Sequence, residues 1–180
     1  MIDKSIYEPS DDSFLLQKYV IKYSKNKDVL DIGSGSGIQA ISAKKVGAKS
    51  VLATDINKKA VNYISSLGIT AIHSNLFSNI KEKYDLIIFN PPYLPKDKLE
   101  DKKTSIITSG GNRGDELTLK FLNQAKNHIN KNGFILLIIS SLSPFERIEK
   151  KIKSLDFRFK ILESKKLFME RLSVLEISNS

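Results

Sequence analysis

In Asn90-Pro91-Pro92-Tyr93, residue type and order point most directly to chemistry. The stretch follows Tyr84-Asp85-Leu86-Ile87-Ile88-Phe89, an apolar run that reads as a buried strand. Neither proline has an N–H for a sheet ladder, so the strand must end at Asn90, and the prolines fix φ on the way out. Asn90 is then held in a rigid corner at the carboxyl end of a strand. Its amide oxygen and a neighbouring peptide oxygen, that of Pro91, can converge on one small external group. A planar –NH2, with two hydrogens to donate, suits that pair. Tyr93 supplies a flat face for a planar substrate. A strand that merely ends in a proline turn contains Pro-Pro as well, so the rest of the sequence must decide.

The second feature is Gly33-Ser34-Gly35-Ser36-Gly37, directly after Asp28-Val29-Leu30-Asp31-Ile32. Glycines between a strand and a helix let a ligand approach the backbone beside a helix N-terminus. The spacing is not that of the dinucleotide fingerprint, which places two residues between its last two glycines. Asp55 ends the second strand, where a carboxylate can accept from both hydroxyls of a ribose. The competing role for Asp55 is a helix cap, since Asn57 follows closely. Asp31 lies inside the first strand, and a carboxylate there costs stability unless it is paired. It would repel a pyrophosphate and suits a cationic amine or sulfonium. S-adenosylmethionine carries both, with a ribose and an adenine. Asn75, just past the third strand, can hydrogen-bond the adenine edge; alternatively it only shapes the turn before Leu76-Phe77.

These residues need a scaffold, and hydrophobic periodicity supplies one. Leu15, Tyr19 and Tyr23 fall at i, i+4 and i+8, with Leu16 and Val20 beside them, giving a helix over 13–24. Ser10 or Asp12 can cap it. Strands at 28–32, 50–55 and 69–73 alternate with two helices, the second capped by Asn57. Strand four ends at Asn90. Residues 94–112 form a long polar loop of the kind that serves as a lid or binding segment. A helix follows over 115–129, then a strand at 134–139, a helix opened by Pro144, and strands at 157–162 and 172–177. With no helix between them, these last two must pair antiparallel. The pattern predicts one α/β domain over residues 1–180. Its core is a doubly wound, seven-stranded, mostly parallel sheet with an antiparallel last strand.

Composition narrows the class of function. There is no cysteine and only two histidines, His73 and His128, so neither disulfides nor a zinc or iron site is expected. The longest apolar run, 134–139, is too short to cross a bilayer, and no signal peptide is evident, so a cytoplasmic protein is expected. The net charge of +9 fits a nucleic-acid or ribonucleoprotein partner. Lysine is spread along the whole sequence, however, which fits a general compositional bias equally well.

Taken together, the glycine turn, Asp55 and Asn90-Pro91-Pro92-Tyr93 resemble the class I S-adenosylmethionine methyltransferases that modify planar amino groups. Tyr7-Glu8-Pro9-Ser10-Asp11-Asp12-Ser13-Phe14-Leu15-Leu16 resembles the opening motif of the HemK-like release-factor glutamine methyltransferases of archaea and eukaryotes. Ser109-Gly110-Gly111-Asn112-Arg113-Gly114 and Glu170-Arg171-Leu172-Ser173-Val174-Leu175 resemble two further segments of that family. The resemblance runs along almost the whole sequence, without the N-terminal helical domain of the bacterial members.

By this resemblance Ser13, Asp31, Gly33, Asp55, Asn75, Leu76 and Asn90 fall at cofactor positions, with Gly35 and Gly37 in the same glycine turn as Gly33. Asn90, Pro91 and Tyr93 fall at substrate-amide positions, beside Pro92 and the Gly110-Gly111 pair. Asp31 replaces the usual Glu, Asn75 an Asp, and Thr108 a Trp. The expected acceptor is a glutamine of a release factor's Gly-Gly-Gln loop. The adenine amino group of DNA or RNA fits the same motif, but a target-recognition domain for base flipping is lacking. A NAD-dependent oxidoreductase or a non-catalytic nucleotide-binding module fits less well, given the glycine spacing and Asp31. The resemblance also implies a small zinc-binding activator that adds a strand to an exposed edge. Strand three is the expected edge, through Ile69-Thr70-Ala71-Ile72.

Overall fold

Apolar residues alternate between the two faces of the central strands, and both faces are covered. In the computed structural model, which describes residues 3–95 and 109–180, the sheet is built from seven strands. They are β1 (Asp28–Ile32), β2 (Ser50–Asp55), β3 (Thr70–His73), β4 (Tyr84–Phe89), β7 (Ile129–Ser140), β8 (Phe157–Lys166) and β9 (Arg171–Asn179). Their order is β3-β2-β1-β4-β7-β9-β8. Neighbours from β3 to β7 pair parallel, and β9 pairs antiparallel with both β7 and β8. The last strand is therefore the reversed one, inserted between β7 and β8. β5 (Leu94–Pro95) and β6 (Ser109–Gly111) pair parallel in a separate two-stranded sheet.

Side-chain alternation sorts the core into two layers, as a two-sided sheet requires. On one face Ile87 and Phe89 of β4 meet Ile135 and Leu137 of β7 and Leu175 and Ile177 of β9. Helices α4 (Glu116–Ala125) and α5 (Phe145–Ser154) cover that face with Phe121, Leu122, Ile148 and Ile152. On the other face Leu86 and Ile88 meet Leu136, Ile138 and Val174. They are covered by α1 (Asp11–Tyr23), through Leu15, Leu16 and Val20, and by Ala43 of α2 (Ile38–Lys45). Helix α3 (Lys58–Ser66) packs Ile64 against Ala40 and Ala53.

Three local expectations are corrected. The helix expected over 115–129 ends at Ala125, where the His128 N–H bonds back to the Ala125 carbonyl. Ile129 continues the apolar spacing but is the first residue of β7, paired with Tyr84. Its burial in the same cluster as Phe121 explains why one periodicity spans two elements. Neither Ser10 nor Asp12 caps α1: Ser10 sits at the N-cap without a side-chain bond, and Asp12 is buried in the first turn. Of the loop read over 94–112, residues 96–108 lie outside the described part, Thr108 among them; Leu94–Pro95 and Ser109–Gly111 are β5 and β6.

Candidate functional site

From β1 the backbone steps outward through β2 to β3, then returns to place β4 on the other side of β1. Sheets of this kind bind ligands at the carboxyl ends of the strands flanking such a reversal. The glycine turn after β1, Asp55 at the end of β2 and Asn90 at the end of β4 all lie there. They border a cavity of about 900 Å³.

One half of the cavity is built on backbone and carboxylate. Gly33 and Gly35 line it, both in the left-handed region, with φ of 63° and 54°. A side chain on Gly35 would press within 3.4 Å of Tyr7, so glycine brings the N-terminal segment close. The Gly35 N–H donates to Asp55 Oδ2 at 2.9 Å and the Asn57 N–H to Oδ1 at 2.8 Å. Each carboxylate oxygen keeps acceptor capacity for a further donor. Asn57, not Asp55, is the cap of α3: its side chain accepts from the Lys59 N–H at 3.0 Å. Burial raises the Asp55 pKa, opposed by these backbone donors.

Asn75 and Leu76 also line the cavity. Leu76 has φ of 52°, uncommon for a residue with a side chain. Ser74 fastens that turn: its hydroxyl donates to the Leu76 carbonyl at 2.8 Å and accepts from the Asn79 N–H at 3.2 Å. The N-terminal strap Ser5, Ile6 and Tyr7 lines the cavity as well. Asn57 Nδ2 holds this strap by donating to the Ser5 carbonyl at 2.8 Å, and Lys59 pairs with Asp3 at 2.8 Å.

Asp31, Ser13 and Gly37 stand behind the wall rather than on it. Asp31 is 2% exposed, and its Oδ2 accepts from the Ala40 N–H at 3.2 Å. Burial pushes its carboxyl up to about 7. Gly37 caps α2 with φ of 81° and leaves room for Ile64.

The other half centres on Asn90, Pro91, Pro92 and Tyr93, all on the wall. Asn90 Nδ2 points to Ser13 Oγ, a long contact of 3.5 Å. Its Oδ1 is buried and has no partner among the described residues. The Ser13 hydroxyl and N–H both donate to Asp12 Oδ1. The Tyr7 hydroxyl donates to the same carboxylate, 2.9 Å from Oδ2, and the Tyr93 hydroxyl approaches Oδ2 at 3.4 Å. Burial, then the Asp12 charge, raises the pKa of both tyrosines, so both phenols stay protonated.

Gly110 supports this half from behind. A Cβ there would lie 2.2 Å from the Gly114 carbonyl oxygen and 2.6 Å from that of Pro92. The Gly110-Gly111 pair is not on the cavity wall. Gly110 instead lets two backbones close behind the Pro-Pro-Tyr turn.

Sequence reasoning gave Tyr7 no role and read Asp12 as a candidate cap. An acid and a hydroxyl side by side in the first turn of a helix, five residues after a tyrosine, look like ordinary capping. Only the fold shows that this turn meets the end of β4.

The model of the "Methyltransferase small domain" family matches residues 11–168. A Methanocaldococcus jannaschii protein, provisionally named a protein N5-glutamine methyltransferase, is 36% identical over 94% of this chain and 90% of its own. The release factor glutamine methyltransferase of Borreliella burgdorferi is 35% identical over 71% of this chain and 50% of its own length. Among solved structures, a chain of the E. cuniculi Mtq2–Trm112 complex, which methylates the translation termination factor eRF1, superposes with a TM-score of 0.81. The alignment covers 98% of this chain and 99% of that one at 23% identity, which speaks to a shared fold.

Proposed function

We propose, for a protein that belongs to the methyltransferase small domain family, transfer of a methyl group from S-adenosylmethionine to a side-chain amide nitrogen. The acceptor is the glutamine in the Gly-Gly-Gln loop of a class I translation release factor. The observation that carries this reading is Asn90 Oδ1, a buried acceptor on a cavity-lining residue, without a partner among the described residues. Leaving such an atom unsatisfied costs about 1–3 kcal/mol, which a donor on a bound ligand removes. The names of the relatives support a glutamine acceptor.

The cavity fits the cofactor. Asp55 would take the ribose hydroxyls with its remaining lone pairs, Asn75 the adenine edge, and Leu76 an apolar face. Gly33 and Gly35 would admit the amino-acid end close to the backbone, where the Asp31 charge behind the turn favours a cation. When bound, S-adenosylmethionine supplies an electrophilic methyl group on a sulfonium.

The protein's own residues prepare the acceptor. A carboxamide nitrogen is a poor nucleophile, because its lone pair is delocalised into the C=O. Asn90 Oδ1 and the Pro91 C=O accept both –NH2 hydrogens, which orients the nitrogen and draws electron density onto it. Proximity then supplies much of the acceleration, and the same acceptors stabilise positive charge growing on nitrogen. Pro92 and Tyr93 provide the flat wall. No general base acts before transfer, since the N–H turns acidic only as the methyl arrives and its proton then passes to solvent water; the half-buried phenols, already protonated, do not take it.

In this reading residues 1–180 act as a single methyltransferase domain, and the reaction takes place in the cytoplasm. No described helix is long and apolar enough to cross a membrane. A small zinc-binding activator would pair with β3, which is an edge strand. A partner protein in the eRF1-methylating complex of similar fold supports this. The test is transfer from labelled S-adenosylmethionine to an archaeal or eukaryotic release factor, with and without such a partner. The same factor with its loop Gln replaced and duplex DNA serve as controls. Label on the intact loop alone is expected; label on adenine overturns the substrate assignment.

A further inference from the structure

We infer that Asp12 is a positioning residue which, through Ser13, fixes the side-chain amide of Asn90 with Oδ1 turned to the acceptor. This inference rests on the methyl-transfer reading, in which Asn90 meets a planar –NH2.

An asparagine amide has two nearly equal orientations that exchange a donor for an acceptor at the same position. In one, Asn90 offers the acceptor with C=O; in the other it offers NH2, which repels an incoming –NH2. What selects between them is the group on the far side. That group is Ser13 Oγ, and a hydroxyl can donate or accept. Asp12 removes the choice: its Oδ1 takes the Ser13 hydroxyl hydrogen at 3.0 Å, so the lone pairs of Ser13 Oγ remain for Asn90 Nδ2. Only a donor of Asn90 can face them, and Oδ1 is turned the other way. The 3.5 Å contact is long; such contacts are commonly loose before substrate binds and tighten in the complex.

Asp12 is itself held in place. It is 4% exposed, and the hydroxyls of Tyr7 and Tyr93, both on the cavity wall, reach the same carboxylate oxygen. The N-terminal strap, the substrate-facing tyrosine and the Asn90 amide thus converge on one side chain. A helix cap would engage backbone N–H groups two or three residues on; Asp12 engages three hydroxyls and its neighbour's N–H instead.

The test compares wild type with Asp12→Asn, Ser13→Ala, the double variant and Ser13→Thr. Kinetics are measured with the release factor, and cofactor affinity by calorimetry. Each single variant is expected to lower kcat about 10- to 100-fold, the range for a misplaced reacting group, with the cofactor Kd within about 3-fold. The double variant is expected to match the worse single one, because both act through one contact. Ser13→Thr keeps the hydroxyl and restores most of the rate. A readout independent of turnover is the Asn90 side-chain NH2 signal in nitrogen-15 spectra, assigned by its loss in Asn90→Ala. It is expected to be rigid in wild type and Ser13→Thr, and mobile in Asp12→Asn and Ser13→Ala. A rigid, unshifted Asn90 signal in both of those variants overturns the inference, as does additive loss in the double variant. A wild type that labels no glutamine overturns the substrate reading instead, and the Asn90 spectra still decide the role of Asp12.

Discussion

Replacing Asp31 by Asn should change how stability depends on pH, and the size of the change follows from its burial. The carboxyl is 2% exposed and raised from the ordinary 3.8 to about 7, chiefly by burial. Between these values the folded protein holds a proton on Asp31 that the unfolded protein has released. Stability is therefore greatest below about pH 4 for this group, falls as pH rises, and is fully reduced above about 7. At about 1.4 kcal/mol per unit, the loss approaches about 4 kcal/mol, or roughly 8–16 °C in Tm for a protein of this size. An amide at position 31 can still accept from the Ala40 N–H, as Oδ2 does now. Its NH2 adds a cost that does not vary with pH, so the slope is the quantity to read. Tm would be measured by calorimetry without cofactor across about pH 4–8 for both proteins. The difference, variant minus wild type, should rise from about pH 4 to about pH 7 and level off above it. A constant difference would show that Asp31 is ionised throughout and refute the argument from desolvation.

Because a cationic ligand favours ionised Asp31, the Kd for S-adenosylmethionine should fall as pH rises towards about 7 and flatten above it; calorimetric titration in Asp31→Asn should lose that trend. Gly110→Ala would force its Cβ into the Pro92 and Gly114 carbonyls, and kcat measured on the release factor should drop about 100-fold as the Pro-Pro-Tyr turn shifts. Arg147 pairs at 2.9 Å with Asp115, whose side chain is fully buried while that of Arg147 is 37% exposed. Urea unfolding of Arg147→Ala should show a loss of about 2 kcal/mol, less than for a pair buried on both sides. Phe168 is 99% exposed in the β8–β9 hairpin, and Phe168→Ser should stay within about 0.5 kcal/mol of wild type in the same assay.

The sheet was legible because its signals are local. Continuous apolar runs in 84–89 and 134–139, as strands covered on both faces require, and the glycine turn at 33–37 each state their role within a few residues. The missing helix between 162 and 172 correctly implied an antiparallel return. Boundaries were less legible where tertiary burial extends a pattern, as Ile129 shows by continuing the periodicity of α4 from inside β7. The cavity gathers Gly33, Gly35, Asp55, Asn75, Leu76 and Asn90 to Tyr93 on its wall. Their positions at strand ends made that foreseeable. Asp12 was not foreseeable: its partners at Tyr7 and Tyr93 lie 5 and 81 residues away, and nothing local distinguishes it from a cap. Gly110 likewise reads as a substrate-side glycine until the backbone packed behind it is seen.

The central claim is that Asn90 reads the acceptor's –NH2, and its most direct test is Asn90→Ala, with kcat and cofactor affinity measured on one preparation. Removing a preorganised acceptor from a transition state should cost about 100- to 1,000-fold in kcat, while S-adenosylmethionine binds with nearly unchanged Kd. Equal loss of turnover and cofactor binding would contradict the account, because it would make Asn90 part of the cofactor's seat rather than the acceptor's.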